Sequence, residues 1–474
     1  MTAPILLWHR RDLRLSDNPA LAWALDKGRP VVPVFLYDQV VETWGAAPKW
    51  RLGLGLEAFG DALDSVGSQL VLRRGDALAA LRKLVDETGA DTVVWNRLYT
   101  PDERARDTEV KEALRNDGLT ARSCAGHLLF EPWTVETGSG GFYKVYTPFW
   151  KAVRDRDPGP TTPAPHQVPA PDAWPESDAL ADWGLDRAMG RGAEVVAPHL
   201  TVGEAAAQSR LGVFMRDRVA GYDNGRDMLA EDGTSGLSEN LTYGEMSIRS
   251  CWEAGQRAMQ DGKAGAETFL KELVWRDFAH HLAYHTPELT SENWKSEWDS
   301  FPWRGDNEQA EAWRRGRTGV TTVDAGMREL YVTGRMHNRT RMLVASYLTK
   351  HLMTHWKVGL DWFADTLVDW DPASNAMGWQ WAAGSGPDAA PFFRIFNPDT
   401  QGEKFDPKGV YRSRWVAEVS PGGAQPDSAK QYFAAIPASW NLSPSDPYPD
   451  DPIVGLKEGR ERALEAYKQR DTAN

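Results

Sequence analysis

The segment DWDPASNAMGWQW, residues 369 to 381, crowds three indoles, Trp370, Trp379 and Trp381, among Asp369, Asp371 and Asn375. Indole can do two unlike jobs in such a place. It buries a large area in a core, or it offers a flat face to a ligand. Upstream, GTSGLS at 233 to 238 sets backbone amides and three hydroxyl side chains in one loop ahead of a helix. That composition suits a phosphate or pyrophosphate, although any Gly/Ser turn looks similar. GRMHNRTRM at 334 to 342 gathers Arg335, Arg339, Arg341 and His337 with no acid nearby in sequence. At a helix start such a run binds phosphate through side chains and free N–H groups, the alternative being a solvated helix end. A second basic run, Lys404, Lys408, Arg412 and Arg414, has acids interleaved and says less. His281 with His285, and His351 with His355, have the i, i+4 spacing of metal ligands on a helix. Neither pair has the Glu of H-E-x-x-H or a clear third ligand, so packing or solvent-facing histidine is expected, and no metal.

These residues need a scaffold, and its outline shows in the hydrophobic pattern. Over residues 1–130, apolar segments such as PILLWHR, PVVPVFLYD, SQLVLRRGD and ADTVVWNR alternate with amphipathic ones such as EAFGDALDSV and DALAALRKLVDE. Strands with little alternation, separated by helices, imply a parallel sheet covered on both faces, hence a Rossmann-like α/β domain. Its first strand runs into HRRDLRLSDN without G-x-G-x-x-G, and GLGLEAFG at 53 to 60 has the wrong glycine spacing. The phosphate-cradling turn of NAD-type folds is therefore missing. Residues 131–199 read as a Pro-rich linker, with seven prolines between Pro158 and Pro175. From 200 to 474, segments such as AETFLKELVWRDFAHHLAYH and TRMLVASYLTKHLMTHW read as helices, giving a large all-α C-terminal domain, and EGRERALEAYKQRDTAN reads as a short helix with a frayed end.

Composition narrows the class. The 474 residues, 41% hydrophobic, suit two or three globular units. The 22 Trp outnumber the 15 Phe and the 13 Tyr, so indole is expected to do more than fill space. Cys124 and Cys251 are the only cysteines, which excludes a disulfide framework and four-cysteine zinc or iron–sulfur sites. No stretch approaches the roughly 20 apolar residues of a membrane span, and the first residues lack a signal-peptide pattern. A cytoplasmic protein is expected. The net charge of −13 argues against a general nucleic-acid binder unless a local basic patch exists.

Taken in order, Tyr222, GTSGLS, ELVWRDF, MHNRTRM, VDWDPASNAMGWQW and FFRIFNP resemble the flavin domain of the photolyase/cryptochrome family. WHRRDLRLSDNPAL, DERARD and YKVYTPFWK resemble its antenna domain, so nearly the whole chain is covered. The resemblance implies a U-shaped FAD in the helical domain. Tyr222, Thr234, Ser235, Leu237 and Ser238 would hold its phosphates and adjacent parts. Arg276, Asp369 and Asp371 would line the isoalloxazine and ribityl region, and Asn375 would face flavin N5. Trp379, Trp356 and Trp303 match the family's chain for passing electrons to the flavin. Trp275 and Trp381 match the pair that flanks a flipped-out lesion. For Trp370 only packing is expected.

Within the family, Asn338 and Met342 stand where (6-4) photolyases have histidines, which implies a cyclobutane pyrimidine dimer as substrate. Glu272 matches a carboxyl group that bonds the lesion's carbonyl. Asn375 stands where plant-type cryptochromes commonly have aspartate. Ala376 and Met377 make the segment more similar to class III dimer photolyases, and Phe269 replaces a flavin-stacking Trp of the commonest bacterial form. The implied activity is light-driven repair by electron transfer from reduced FAD, on UV-damaged DNA, by a monomer associated with the nucleoid when bound. Arg339 and Arg394, with Lys404, would grip phosphates. Glu103 in DERARD matches the acid that binds the pterin of a methenyltetrahydrofolate antenna; a deazaflavin, a second flavin, or a simple salt-bridged helix residue are the alternatives. A cryptochrome-like blue-light receptor is the other reading of the whole.

Overall fold

The computed structural model describes residues 2–419 and 426–473. Strands β1 (Ile5–His9), β2 (Val31–Tyr37), β3 (Val71–Arg74), β4 (Thr92–Asn96) and β5 (Thr120–Cys124) form one parallel sheet in the order β3-β2-β1-β4-β5. β1, β2 and β4 are buried along their whole length. Their continuous apolar runs are the sequence trace of cover on both faces. Helices α1 (Ala46–Ser65), α2 (Ala77–Thr88) and α3 (Pro101–Asn116) supply much of that cover, and GLGLEAFG is plain helix within α1.

The strand order switches direction between β1 and β4, where a doubly wound sheet leaves a crevice at the carboxyl ends. Here the protein fills it with its own polar groups. The Asn96 amide donates to Asp12 at 2.6 Å and to Asn18 at 2.8 Å, and Arg10 pairs with Asp107 at 3.1 Å.

Residues 131–199 form a strap rather than a free tether. Helix α4 (Tyr146–Val153) buries Tyr146, Phe149, Trp150 and Val153 in the core of the helical half. Beyond it the chain runs back over the sheet domain. The Val31 N–H donates to the Pro169 carbonyl at 2.8 Å and the Asp178 N–H to the Leu72 carbonyl at 2.9 Å, which covers part of the β3 edge.

Among the described residues, no strand follows Cys124. The helices that build the site are α5 (Ser238–Thr242), α6 (Ile248–Gln260), α7 (Ala266–His285), α8 (Thr321–Thr333), α9 (Asn338–Ser346), α10 (Trp356–Thr366) and α11 (Pro372–Ala383), followed by α12 (Leu456–Ala473). α11 starts where its sequence says it should: Asp371 accepts the Ser374 N–H at 2.7 Å and Pro372 takes the first position. Two expectations change. The C-terminal helix is not short: it runs 18 residues and buries Ala463 and Ala466. His351 and His355 do not share a helix, because Tyr347–His351 is a π-helical turn and His355 caps α10 by accepting the Lys357 N–H at 3.1 Å.

The halves meet over a dense polar contact. Arg51 pairs with Glu245 at 2.7 Å, Arg249 with Asp17 at 2.6 Å, and the Leu13 N–H donates to the Tyr243 carbonyl at 3.1 Å. Gly244 lies at φ 67°, and a Cβ there would sit 2.1 Å from the Arg11 carbonyl oxygen. Only glycine permits that approach.

Candidate active site

A cavity of about 530 Å³ opens in the helical half, within the size range of small-molecule sites. The approach to α5 contributes Tyr222, Ser235 and Ser238, α7 contributes Phe269, Glu272, Trp275 and Arg276, and α9 contributes Asn338, Arg341 and Met342. Asp369, Trp370, Asp371, Asn375, Trp379 and Trp381 come from α11 and the turn before it. Four sequence-distant stretches thus converge on one space.

Its charged groups are held rigidly. Arg341 grips both oxygens of Asp369, at 3.0 and 2.8 Å. Burial pushes the Asp371 carboxyl up, but His280 at 3.0 Å, with Arg276 and Arg11, outweighs burial and holds it well below the usual range. Arg276 turns to His127, donating to its carbonyl at 2.8 Å and meeting its ring. The Asn375 amide donates to the Leu360 carbonyl at 3.0 Å, which leaves Oδ1 as its acceptor. Glu272 is ion-paired with Arg226, a cavity residue that the sequence reading passed over.

The donor set fits a flavin dinucleotide. Phe269, Leu273, Met342 and Ala345 give apolar walls, and Ser235, Ser238 and the arginines give convergent polar groups. The indole N–H groups of Trp370 and Trp379 are buried without a partner at the cavity wall. An aromatic, acceptor-rich, phosphate-bearing ligand matches all three features. Phe269, which the resemblance sets in the place of a flavin-stacking Trp, is 2% exposed and lines the cavity.

The other tryptophans fall into place in part. Trp379 is at the cavity wall, Trp356 is wholly buried in the same apolar cluster, and Trp303 is half-buried at its edge. The Trp303 and His355 ring centroids are 5.5 Å apart, and those of His355 and Trp356 5.6 Å. A Cβ at Gly359 would lie 2.0 Å from the Trp379 ring, so that glycine seats the indole against α10. Trp370 does more than pack: it lines the cavity, and its ring meets that of Trp44 edge-on at 6.0 Å, with the Arg11 guanidinium near both, 5.6 Å from Trp370 and 4.1 Å from Trp44.

Some expected residues lie elsewhere. Thr234 does not line the cavity, and Leu237 is 1% exposed in the apolar core. Arg394 and Lys404 are exposed beyond the cavity lining. The basic run is not a free cation cluster: Arg335 pairs with Glu239, Arg339 with Asp227 and Arg341 with Asp369. Glu103 requires a correction. Its oxygens accept from Arg11 at 3.1 Å and from the Thr100 hydroxyl at 2.6 Å, and it is 3% exposed. It is a buried ion-paired helix residue, with Arg11 rather than its neighbours Arg104 and Arg106 as partner, and it offers no free acid to a pterin.

Residues 5–171 match the model of the DNA photolyase family, and residues 269–469 that of the FAD binding domain of DNA photolyase. A deoxyribodipyrimidine photo-lyase of Agrobacterium fabrum is 46% identical over 478 residues, covering 98% of each chain. The crystal structure of a bacterial class III photolyase from Agrobacterium tumefaciens superposes with a TM-score of 0.91 at 45% identity, covering 100% of this chain and 98% of that one. An archaeal photolyase from Sulfolobus tokodaii, solved with two FAD molecules, gives a TM-score of 0.81 at 29% identity, covering 98% of this chain and 100% of its own. The cavity, the sheet order and these matches lead to one placement: the chain belongs to the photolyase/cryptochrome family.

Proposed function

We propose that the protein is a deoxyribodipyrimidine photo-lyase that repairs cyclobutane pyrimidine dimers in DNA. The observation that carries this is a shared space. Glu272, Trp275, Asn338, Met342 and Trp381 line the same cavity as Tyr222, Ser235, Arg276, Asp369 and Asn375. Lesion residues and flavin residues are thus a cavity's width apart, as short-range electron transfer requires. The chemistry FAD supplies when bound is donation of one electron under blue light and its recovery once the cyclobutane ring has opened, with no net oxidation or reduction.

The chain's own residues do the rest. Trp275 and Trp381 give apolar faces to the extruded dimer, which leaves the duplex at less than the few kcal/mol of an intact base because its stacking is already weakened. Glu272 and Arg226 address its polar edge. Asn338 and Met342 supply no acid, and ring opening of this lesion needs none. The Asn375 acceptor and the Asp371–His280 pair fix the polar frame around the flavin, and Trp379, Trp356 and Trp303 lead electrons inward from the surface. Arg394 and Lys404 take DNA phosphates; Arg339 is held by Asp227 at 2.7 Å instead. The protein acts as a monomer in the cytoplasm, and among the described residues no helix is long and apolar enough to cross a membrane. A folate antenna belongs to the same proposal, without Glu103 as its ligand; mass spectrometry of the pigment released from purified protein tests it.

The deciding experiment mixes photoreduced protein with an oligonucleotide carrying one thymine cyclobutane dimer and follows the return of intact thymine absorbance in blue light and in darkness. Light-dependent recovery is expected. Its absence in protein with a bound, reducible flavin would remove the repair assignment.

A further inference from the structure

Tyr146 comes from the strap, yet it touches the wall assigned to the lesion. Its ring stacks on Trp275 with centroids 3.6 Å apart and planes 7° from parallel. The Phe278 ring meets Trp275 edge-on at 5.8 Å. One face of the Trp275 indole is therefore covered by protein, which leaves a single face for the cavity it lines.

Tyr146 is itself held at three points. Its hydroxyl donates to the Lys271 carbonyl at 2.7 Å. In α7 that carbonyl is the one four residues before Trp275, so the phenol is tied to the turn that carries the indole. Its backbone N–H donates to Asp388 at 2.9 Å, on the cavity rim. Phe278 meets its ring edge-on at 5.8 Å. The rim is joined in turn to the other wall, since the Ala390 N–H donates to the Trp381 carbonyl at 3.3 Å.

We infer that Tyr146 is a positioning residue for lesion recognition: it backs Trp275, so that a flipped pyrimidine completes a three-layer stack of base, indole and phenol, and it ties the rim leading to Trp381 to that wall. Rigid backing matters because a free indole rotates, and stacking then has to offset the lost freedom of the side chain as well as of the base. The inference rests on the lesion-binding reading of the cavity.

The test is dark binding of holoprotein to a fluorescent duplex with one thymine dimer and to its undamaged twin, for the wild type, Tyr146→Phe, Tyr146→Leu and Tyr146→Ala. Tyr146→Phe keeps the stack and is expected to keep the damaged-to-undamaged affinity ratio within about threefold; Tyr146→Leu and Tyr146→Ala are expected to lower it about tenfold, the scale of one lost base–aromatic stack. Flavin content, visible spectrum and photoreduction rate are expected to stay unchanged in all three variants. A simple loss of fold would move those readouts and would not be rescued by phenylalanine. A ratio preserved in Tyr146→Leu and Tyr146→Ala, but lost in Trp275→Ala, would overturn the inference and leave the repair reading intact. A wild-type protein with no preference for the dimer would overturn the reading and the inference together.

Discussion

Glu272 shows what a residue's partner does to its chemistry. A carboxylate paired with a guanidinium is an acceptor, not a donor. Beside Arg226 it can take the ring N–H of a pyrimidine while the arginine donates to the carbonyl, a division of labour different from the carboxyl-to-carbonyl bond expected from the sequence. Glu272→Ala removes a charged hydrogen bond and is expected to weaken dimer affinity by about 10- to 100-fold. Glu272→Gln, which keeps an acceptor oxygen, is expected to lose less; titrations of dimer-containing duplex in darkness separate the two. Glu272, Trp275, Trp379 and Asn375 were legible in the sequence because they stand in long recognisable motifs. Arg226 was not, because its partner lies 46 positions away. The basic run was misread for the same reason, its acids Glu239, Asp227 and Asp369 arriving from other elements.

At the scale of elements, the helices were legible from their periodicity, but the contacts between them were not. Gly359 reads as an ordinary helix glycine, yet α10 and α11 pack only because it has no side chain where the Trp379 ring lies. Gly359→Ala overpacks that contact, and a loss of about 1–3 kcal/mol is expected. The indole moves as well, so flavin photoreduction under blue light is expected to slow more than dimer binding weakens. The π-helical turn was equally hidden. It places Lys350, 1% exposed, against the Arg394 carbonyl at 3.2 Å, and burial lowers its pKa to about 7. A base with a depressed pKa costs stability in full below that value, and the cost fades as pH rises from about 7 towards the unfolded value of 10.5. Lys350→Met removes a penalty on the order of a few kcal/mol. It is expected to raise the melting temperature at pH 6 and to show a smaller gain near pH 10, by thermal melts at both values. A larger gain at high pH would contradict the burial argument. The same variant loses the bond that steadies the Arg394 carbonyl.

For the whole molecule, the sequence marked a change of texture after residue 130 without revealing that the linker covers part of the β3 edge and that its helix α4 sets Tyr146 behind Trp275. Proline content excludes helix and central strand, but it says nothing about what the chain is pressed against. The same limit applies to charge. A chain of net charge −13 was expected to need a basic patch for DNA, and the run at 334–342 does not supply it freely. Arg335, Arg339 and Arg341 are committed to carboxylates, while Arg394 and Lys404 stand exposed. Counterion release then scales with few phosphates: at about −0.9 per phosphate neutralised, a slope of log affinity against log salt of about −2 to −3 is expected for duplex DNA. Phosphate contacts position without reading the lesion, so Arg394→Ala is expected to reduce the slope by about 1 and to weaken damaged and undamaged duplex alike. Trp275→Ala is expected to do the opposite, keeping the slope and lowering the preference for the dimer. Salt titrations of both variants on both duplexes measure the two separately. A wild-type slope steeper than about −5 would require a broad cationic face, and discrimination would then have to be shared with it rather than concentrated in the stacking walls of one cavity.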